Sequence, residues 1–286
     1  MDILWILAHP DDESFGGAGV IAWAHERGLE TGLICATRGE AGEISDPELA
    51  TPLTLGAVRE QELRRAMDVV HLSELRLMGY RDSGMAGTPE NDDPRALVQA
   101  PREEAIAHLV GQIRELKPRT VITFGPDGVY GHPDHIYIGN VASEAVLEAA
   151  AGTLPSLGDP WRVESLYHVA VPREIMLAMR ARPDGPFRNM SEEEVQLLGT
   201  PSAEITHWVD TVDYLNLARK AVVCHATQIA DPTQFTADTE QAVGRLRYQQ
   251  FKRVDLPWSE GSDRHDVIAE LEKEHPNRAR AVMPLE

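Results

Sequence analysis

Two short clusters of histidines and carboxylates, far apart in the chain, constrain the fold more than any other feature. The first is Ala8-His9-Pro10-Asp11-Asp12-Glu13 and the second is Gly131-His132-Pro133-Asp134-His135. Each follows an apolar run, Ile3-Leu4-Trp5-Ile6-Leu7 in one case and Thr120-Val121-Ile122-Thr123-Phe124 in the other. Short continuous apolar runs suit strands covered on both faces. The polar groups therefore gather where buried strands hand the chain to helices, which is where open α/β sheets keep their chemistry.

The intervening sequence alternates in the same way. Helix-like stretches are expected at Val20 to Arg27, Leu55 to Val70, Arg102 to Leu116 and Pro133 to Ala150. Strand-like stretches are expected at Thr31 to Ala36 and Leu75 to Met78. Strict strand–helix alternation argues for a Rossmann-like, doubly wound, mainly parallel sheet with helices on both faces. Right-handed crossovers place the loops beginning at His9, Thr37, Gly79 and Gly125 on one edge. Residues 86–101 read as a long surface loop near that edge. After Gly152 the pattern loosens. Glu164 to Val171 reads as a strand, Asp210 to His225 as an amphipathic helix, and 182–202 as polar and Pro-rich. Its acidic run, Glu192-Glu193-Glu194, reads as a helix N-terminus facing water. The expectation is one domain over 1–286, with a catalytic core at 1–150 and a C-terminal elaboration at 151–286.

Composition narrows the function. A net charge of −19 over 286 residues disfavours nucleic acid and anionic membrane as partners and leaves small neutral or cationic molecules open. Two cysteines, Cys35 and Cys224, cannot form a disulfide framework. No apolar run approaches the ~20 residues a membrane span requires. The apolar N-terminal stretch lacks a basic flank, reads as a strand rather than a signal peptide, and makes a cytoplasmic location the simplest expectation.

The clusters carry the donor set of a catalytic metal site. Adjacent carboxylates in a concave site cannot all stay ionised cheaply unless a cation joins them. The spacing His9-x-x-Asp12 brings both side chains to one ion around a turn stiffened by Pro10. Asp11 then points elsewhere and is free to act as a base. With Pro133 at the first helical position, His132 and His135 lie near one helix N-terminus. One completes the metal site and the other moves a proton, with Asp134 placed to orient it. His9, Asp12 and His135 supply the three protein ligands of a catalytic zinc, one ion per subunit, although Fe2+, Co2+ or Mn2+ also suits such a set.

These residues resemble the LmbE/PIG-L family of N-deacetylases, which includes the deacetylases of mycothiol and bacillithiol synthesis. Thr37-Arg38-Gly39-Glu40, Arg59-x-x-Glu62-Leu63 and Arg81-Asp82-Ser83-Gly84-Met85 also fit, and His225-Ala226-Thr227-Gln228 resembles a recurring late segment. The resemblance implies His9, Asp12 and His135 as zinc ligands and Asp11 as general base. It implies His132 as the group that stabilises the oxyanion or protonates the leaving amine, with Asp134 as its partner. Arg59, Asp82 and Tyr130 match positions that face the substrate. Self-association is common in the family.

The expected reaction is removal of the N-acetyl group from a 2-acetamido sugar conjugate. An alternative is an amidase cleaving a mycothiol S-conjugate, since the catalytic groups would be the same. A non-catalytic Rossmann-like binding module is the remaining possibility, but Gly16-Gly17-Ala18-Gly19 is not a dinucleotide-binding glycine pattern and follows carboxylates hostile to phosphate.

Overall fold

The computed structural model describes residues 1–181, 190–258 and 266–275. Five strands come first: β1 (Ile3–Leu7), β2 (Thr31–Cys35), β3 (Glu74–Leu77), β4 (Thr120–Phe124) and β5 (Ser165–Val169). Two more, β6 (His207–Asp210) and β7 (Tyr248–Val254), complete one seven-stranded sheet in the order β3-β2-β1-β4-β5-β7-β6. Strands β1 to β5 pair in parallel, while β7 runs antiparallel to both β5 and β6. All residues of β1, β2 and β4 are buried, as their near-continuous apolar sequences require. β3 lies at the edge and carries Glu74 and Arg76 on half-buried backbone, which blunts it against pairing with another chain.

The helices are α1 (Asp12–Gly16), α2 (Ala18–Glu26), α3 (Leu55–Val69), α4 (Arg102–Leu116), α5 (Gly128–Gly131) and α6 (Pro133–Ala150). Then come α7 (Arg173–Arg180), α8 (Glu192–Val195), α9 (Leu215–Val222), α10 (Thr233–Thr236), α11 (Glu240–Arg247) and α12 (Val267–Glu274). The chain steps outward from β1 to β2 to β3, then returns to β4 on the other side of β1. Right-handed crossovers put α2 and α3 on one face and α4 and α6 on the other. The strand order reverses between β1 and β4, and Ile3 of β1 lies opposite Thr120 of β4. Both clusters therefore leave neighbouring strands at the topological switch point, where a crevice opens.

Close packing fixes α6 there. A β-carbon at Gly139 would stand 2.5 Å from the Phe124 carbonyl oxygen, so only glycine lets this helix lie so near the end of β4. Pro133 occupies the first turn, and His132 is the N-cap, its ring accepting from the Asp134 N–H.

The early elements follow the sequence expectations to within a few residues. The region 86–101 is more ordered than a plain loop: it forms 3-10 turns at Pro89–Asp92 and Leu97–Gln99, buries Ala96 and Leu97, and is bound by Tyr137 Oη to the Ala100 carbonyl. The expected helix from Asp210 to His225 is shorter. Asp210 ends β6, a 3-10 turn spans Val212–Tyr214, and α9 covers only Leu215–Val222. The acidic run opens α8 under a capping box between Ser191 and Glu194. Residues 182–189 of the Pro-rich stretch lie outside the described residues. Among the described residues no helix is long and apolar enough to cross a membrane.

Candidate metal and acid/base site

β1 delivers His9 at its end, and α1 begins at Asp12. The His9 N–H donates to Asp12 Oδ2 at 2.8 Å, closing a tight turn. His9 Nδ1 stands 3.2 Å from His135 Nε2. Asp12 Oδ1 lies 3.3 Å from His135 Nε2, and Asp12 Oδ2 lies 3.8 Å from His9 Nδ1. Two imidazoles and one carboxylate from two ends of the N-terminal half thus face one another. His132 is close behind: one nitrogen from each of His9, His132 and His135 lies within 4.8 Å of the others. Phe124 stacks on the His135 ring, with centroids 4.0 Å apart, and restrains it.

The other face of His9 meets carboxylates. Nε2 is 3.1 Å from Asp134 Oδ2 and 3.5 Å from Asp82 Oδ1. Both carboxylates are fixed by backbone: Ser83 N–H donates to Asp134, while Gly84 and Ala41 N–H groups donate to Asp82. Burial disfavours protonating His9, but Asp134 and Asp82 outweigh it and raise its pKa well above the ordinary value. Burial likewise opposes ionising Asp12, and the His135 and His9 imidazoles override it, holding its carboxyl well below the usual range.

The family model described as GlcNAc-PI de-N-acetylase, PIG-L, matches residues 4–146, which include both clusters. A deacetylase of 1D-myo-inositol 2-acetamido-2-deoxy-alpha-D-glucopyranoside from Geodermatophilus obscurus is 36% identical over 250 residues, 82% of this chain and 85% of that one. The chain belongs to the PIG-L family. An enzyme of the same name from Thermobispora bispora is 38% identical over 79% of each chain. Another, from Catenulispora acidiphila, is 35% identical over 91% of this chain and 85% of its own.

Solved structures show the PIG-L fold more widely. The N,N'-diacetylchitobiose deacetylase of Pyrococcus horikoshii superposes with a TM-score of 0.60 at 21% identity, covering 88% of this chain and 83% of that one. GalB, a 4-carboxy-2-hydroxymuconate hydratase from Pseudomonas putida, superposes at 0.58 with 16% identity, covering 90% and 97%. The fold therefore serves more than one reaction, and the site must carry the functional argument.

Around the PIG-L clusters, Asp11 occupies a strained position, with φ 117° and ψ −27°. Its Oδ2 is 3.2 Å from Arg59 Nη2. Burial pushes the Asp11 carboxyl up to about 6, against the pull of the Arg59 guanidinium. Burial, with His9 and His135 nearby, pushes the His132 imidazole down to about 4.

Three of the expected site residues meet protein partners. Asp134 was expected to orient His132, but its carboxylate faces His9, and it meets His132 only through its backbone N–H, 3.2 Å from Nδ1. The reason is the helix start: the N-cap ring of His132 takes the Asp134 amide, one of the free N–H groups of the first turn, and leaves the Asp134 carboxylate to His9. Arg59 was expected to face the substrate. It is buried in α3, and its Nη atoms donate to the Gly39 carbonyl at 2.9 Å and the Pro10 carbonyl at 2.6 Å as well as to Asp11. Asp82, also placed on the substrate, is buried beside His9. Tyr130 does lie beside the site, edge-on to His135 with centroids 4.9 Å apart.

Sequence reasoning missed one set of contacts. Glu13 is fully buried, and its Oε1 lies 2.9 Å from Nε2 of His225, itself fully buried. Glu62 accepts from Thr227 N–H at 2.8 Å and Oγ1 at 2.6 Å. Every one of these residues sits in a motif visible in the sequence, but nothing local pairs residues so far apart.

Proposed function

We propose that this protein is a zinc-dependent hydrolase that removes the acetyl group from a 2-acetamido sugar joined to inositol. The convergence of His9 Nδ1, His135 Nε2 and the Asp12 carboxylate beside an independently held Asp11 carries this reading. Two ligands bound about 2.0–2.1 Å from one ion at tetrahedral angles stand roughly 3.3–3.4 Å apart. The 3.2 Å between His9 Nδ1 and His135 Nε2 and the 3.3 Å between Asp12 Oδ1 and His135 Nε2 are close to that edge, while His9 Nδ1 stands 3.8 Å from the other Asp12 oxygen, Oδ2. Two imidazoles and one carboxylate are a donor set that suits zinc and leaves a position open. Zinc held there supplies Lewis acidity that makes water acidic near neutral pH and polarises an amide carbonyl.

The chain's own groups do the proton work. Asp11, raised to about 6, is ionised at neutral pH yet close enough to that pH to take a proton from the attacking water. The neutral His132 ring accepts at Nδ1 from Asp134 N–H, so its proton sits on Nε2. Nε2–H can then donate to the amide oxygen as negative charge develops there. Because His132 is held neutral, the protonated Asp11 is the acid that delivers a proton to the departing amine. Burial and the surrounding carboxylates Asp12, Asp11 and Asp82 keep the Tyr130 phenol protonated, which fits it to donate a hydrogen bond to substrate. Arg59 anchors Asp11, and Asp82 and Asp134 anchor His9.

The sugar–inositol substrate is the one that the relatives' names carry. Two free cysteines, Cys35 and Cys224, fit a reducing compartment such as the cytoplasm. The test is direct. Zinc-loaded protein is incubated with the N-acetylglucosaminyl inositol, with diacetylchitobiose and with an S-conjugated cysteinyl amide. Acetate and free amine should appear fastest from the first. Protein carrying one zinc per chain that releases no acetate from any sugar overturns the reading, and cleavage of the cysteinyl amide alone replaces it.

A further inference from the structure

The proposed base, Asp11, stands on backbone that must be held in place. A non-glycine residue at φ 117° is strained and persists only when its surroundings impose it. The Asp11 side chain makes no cap for α1, so the strain is not relieved locally. The imposing group is Glu13. Its Oε2 accepts the Asp11 N–H at 3.0 Å, while the Asp11 carbonyl accepts from the N–H groups of Ser14 and Phe15.

Glu13 is in turn held by its other oxygen. Oε1 accepts from Ser14 Oγ at 2.6 Å and from His225 Nε2 at 2.9 Å. A carboxylate buried this deeply is costly without such donors. His225 comes from the turn before the 3-10 segment Ala226–Gln228, and that turn is tied down on every side. Thr227 binds Glu62, Ser45 Oγ donates to the Ala226 carbonyl at 2.7 Å, and Gln228 Nε2 donates to the Glu43 carbonyl at 3.0 Å. Glu62 lies one turn beyond Arg59 on α3. The same late turn therefore braces the helix that grips the Asp11 carboxylate and the glutamate that grips the Asp11 amide.

We infer that Glu13 and His225 are positioning residues: His225 aims Glu13, and Glu13 fixes the Asp11 backbone so that its carboxylate faces the reacting water rather than the metal. The turn at 225–228 is thus part of the catalytic apparatus although it lies outside the residues that the family model matches. This rests on the proposal that Asp11 is the base.

The experiment is a double-mutant cycle with a structural arm. His225→Phe should lower kcat about 100-fold, the loss typical of an ångström-scale misplacement. KM and zinc content should stay within about twofold, and His225→Gln, which keeps a donor near the Nε2 position, should recover most of the rate. On an Asp11→Ala background His225→Phe should cost no further rate, because the group it positions is gone. A merely structural role would instead give the same loss on both backgrounds, and that additivity overturns the inference, as does an unchanged kcat. Should His225→Phe fail to fold, Glu13→Gln enters the same cycle with the same two outcomes. A crystal structure of the variant separates this inference from the assigned activity. Asp11 should leave the left-handed region, and an unmoved Asp11 overturns the positioning role. Wild-type protein silent on every sugar, with Asp11 displaced in the variant, would sink the activity and leave the positioning intact.

Discussion

The two ring nitrogens of His9 face opposite ways, and Nε2 lies 3.1 Å from the Asp134 carboxylate. Nδ1 faces His135 and Asp12. In the proposed zinc site, a carboxylate behind the imidazole would keep the proton on Nε2 once the metal displaces the one on Nδ1, and would strengthen His9 as a donor. Asp134 also accepts the Ser83 N–H at 2.9 Å and so cannot swing away.

Asp134→Ala should therefore weaken zinc binding about 10- to 100-fold, the usual cost of losing such a partner. Competition against a chelator of known affinity reads this out. Unchanged affinity would show that His9 needs no support from behind.

Asp11→Ala separates metal binding from proton transfer. Zinc content should remain one per chain, and kcat should fall about 10²- to 10⁴-fold, the range for a lost general base. His9→Ala should instead lose the metal. If Asp11→Ala also loses it, the division of labour proposed for the first cluster is wrong.

Arg114 tests the frame behind the site. It is buried in α4, and its guanidinium donates to the carbonyls of Glu148, Ala149, Ala151, Thr153, Leu154 and Gly158. These carbonyls belong to the C-terminal end of α6 and the turn that follows; those of Ala151, Thr153 and Gly158 are the ones that lean on Arg114 most, since Glu148, Ala149 and Leu154 also accept backbone N–H groups. Arg114→Ala should destabilise the fold by about 1–3 kcal/mol, since the packing of a buried guanidinium and several part-buried hydrogen bonds are lost at once. Urea denaturation measures this, and a loss under about 1 kcal/mol would show that water replaces the guanidinium freely.

His168 predicts a pH dependence away from the metal ligands. Burial, assisted by Lys252, pushes its imidazole down from 6.5 to about 4. The ring contacts Ser143 Oγ at 3.1 Å. The unfolded chain then binds a proton below 6.5 that the folded chain refuses until about 4. Stability must fall as the pH drops through that window and be restored as it rises. His168→Gln should remove this component. The difference in unfolding free energy between wild type and variant should thus change between pH 7 and pH 4, and a flat difference would contradict the burial argument.

Much of the fold could be read from local pattern. The apolar runs of β1, β2 and β4 are buried throughout and sit where continuous hydrophobicity placed them, and Pro133 marked the start of α6. Strands β6 and β7 escaped notice. His207–Asp210 and Tyr248–Val254 mix polar and apolar residues because they lie near the sheet's outer edge, and their pairing is antiparallel and distant in sequence. Asp210 looked helical since a single residue carries no record of which strand it will meet.

The sequence by itself determined the chemical inventory: which imidazoles and carboxylates exist, and that each cluster ends a buried strand. Tertiary structure alone decided the pairings. Asp134 serves His9 rather than its neighbour His132, Arg59 grips Asp11 rather than facing outward, and Glu13 is met by His225 from 212 positions away. Direction along a strand or helix is set by local backbone geometry and can be read from spacing. The partner at the end of a side chain depends on sheet order, register and the seating of each helix, which only the whole chain's packing fixes.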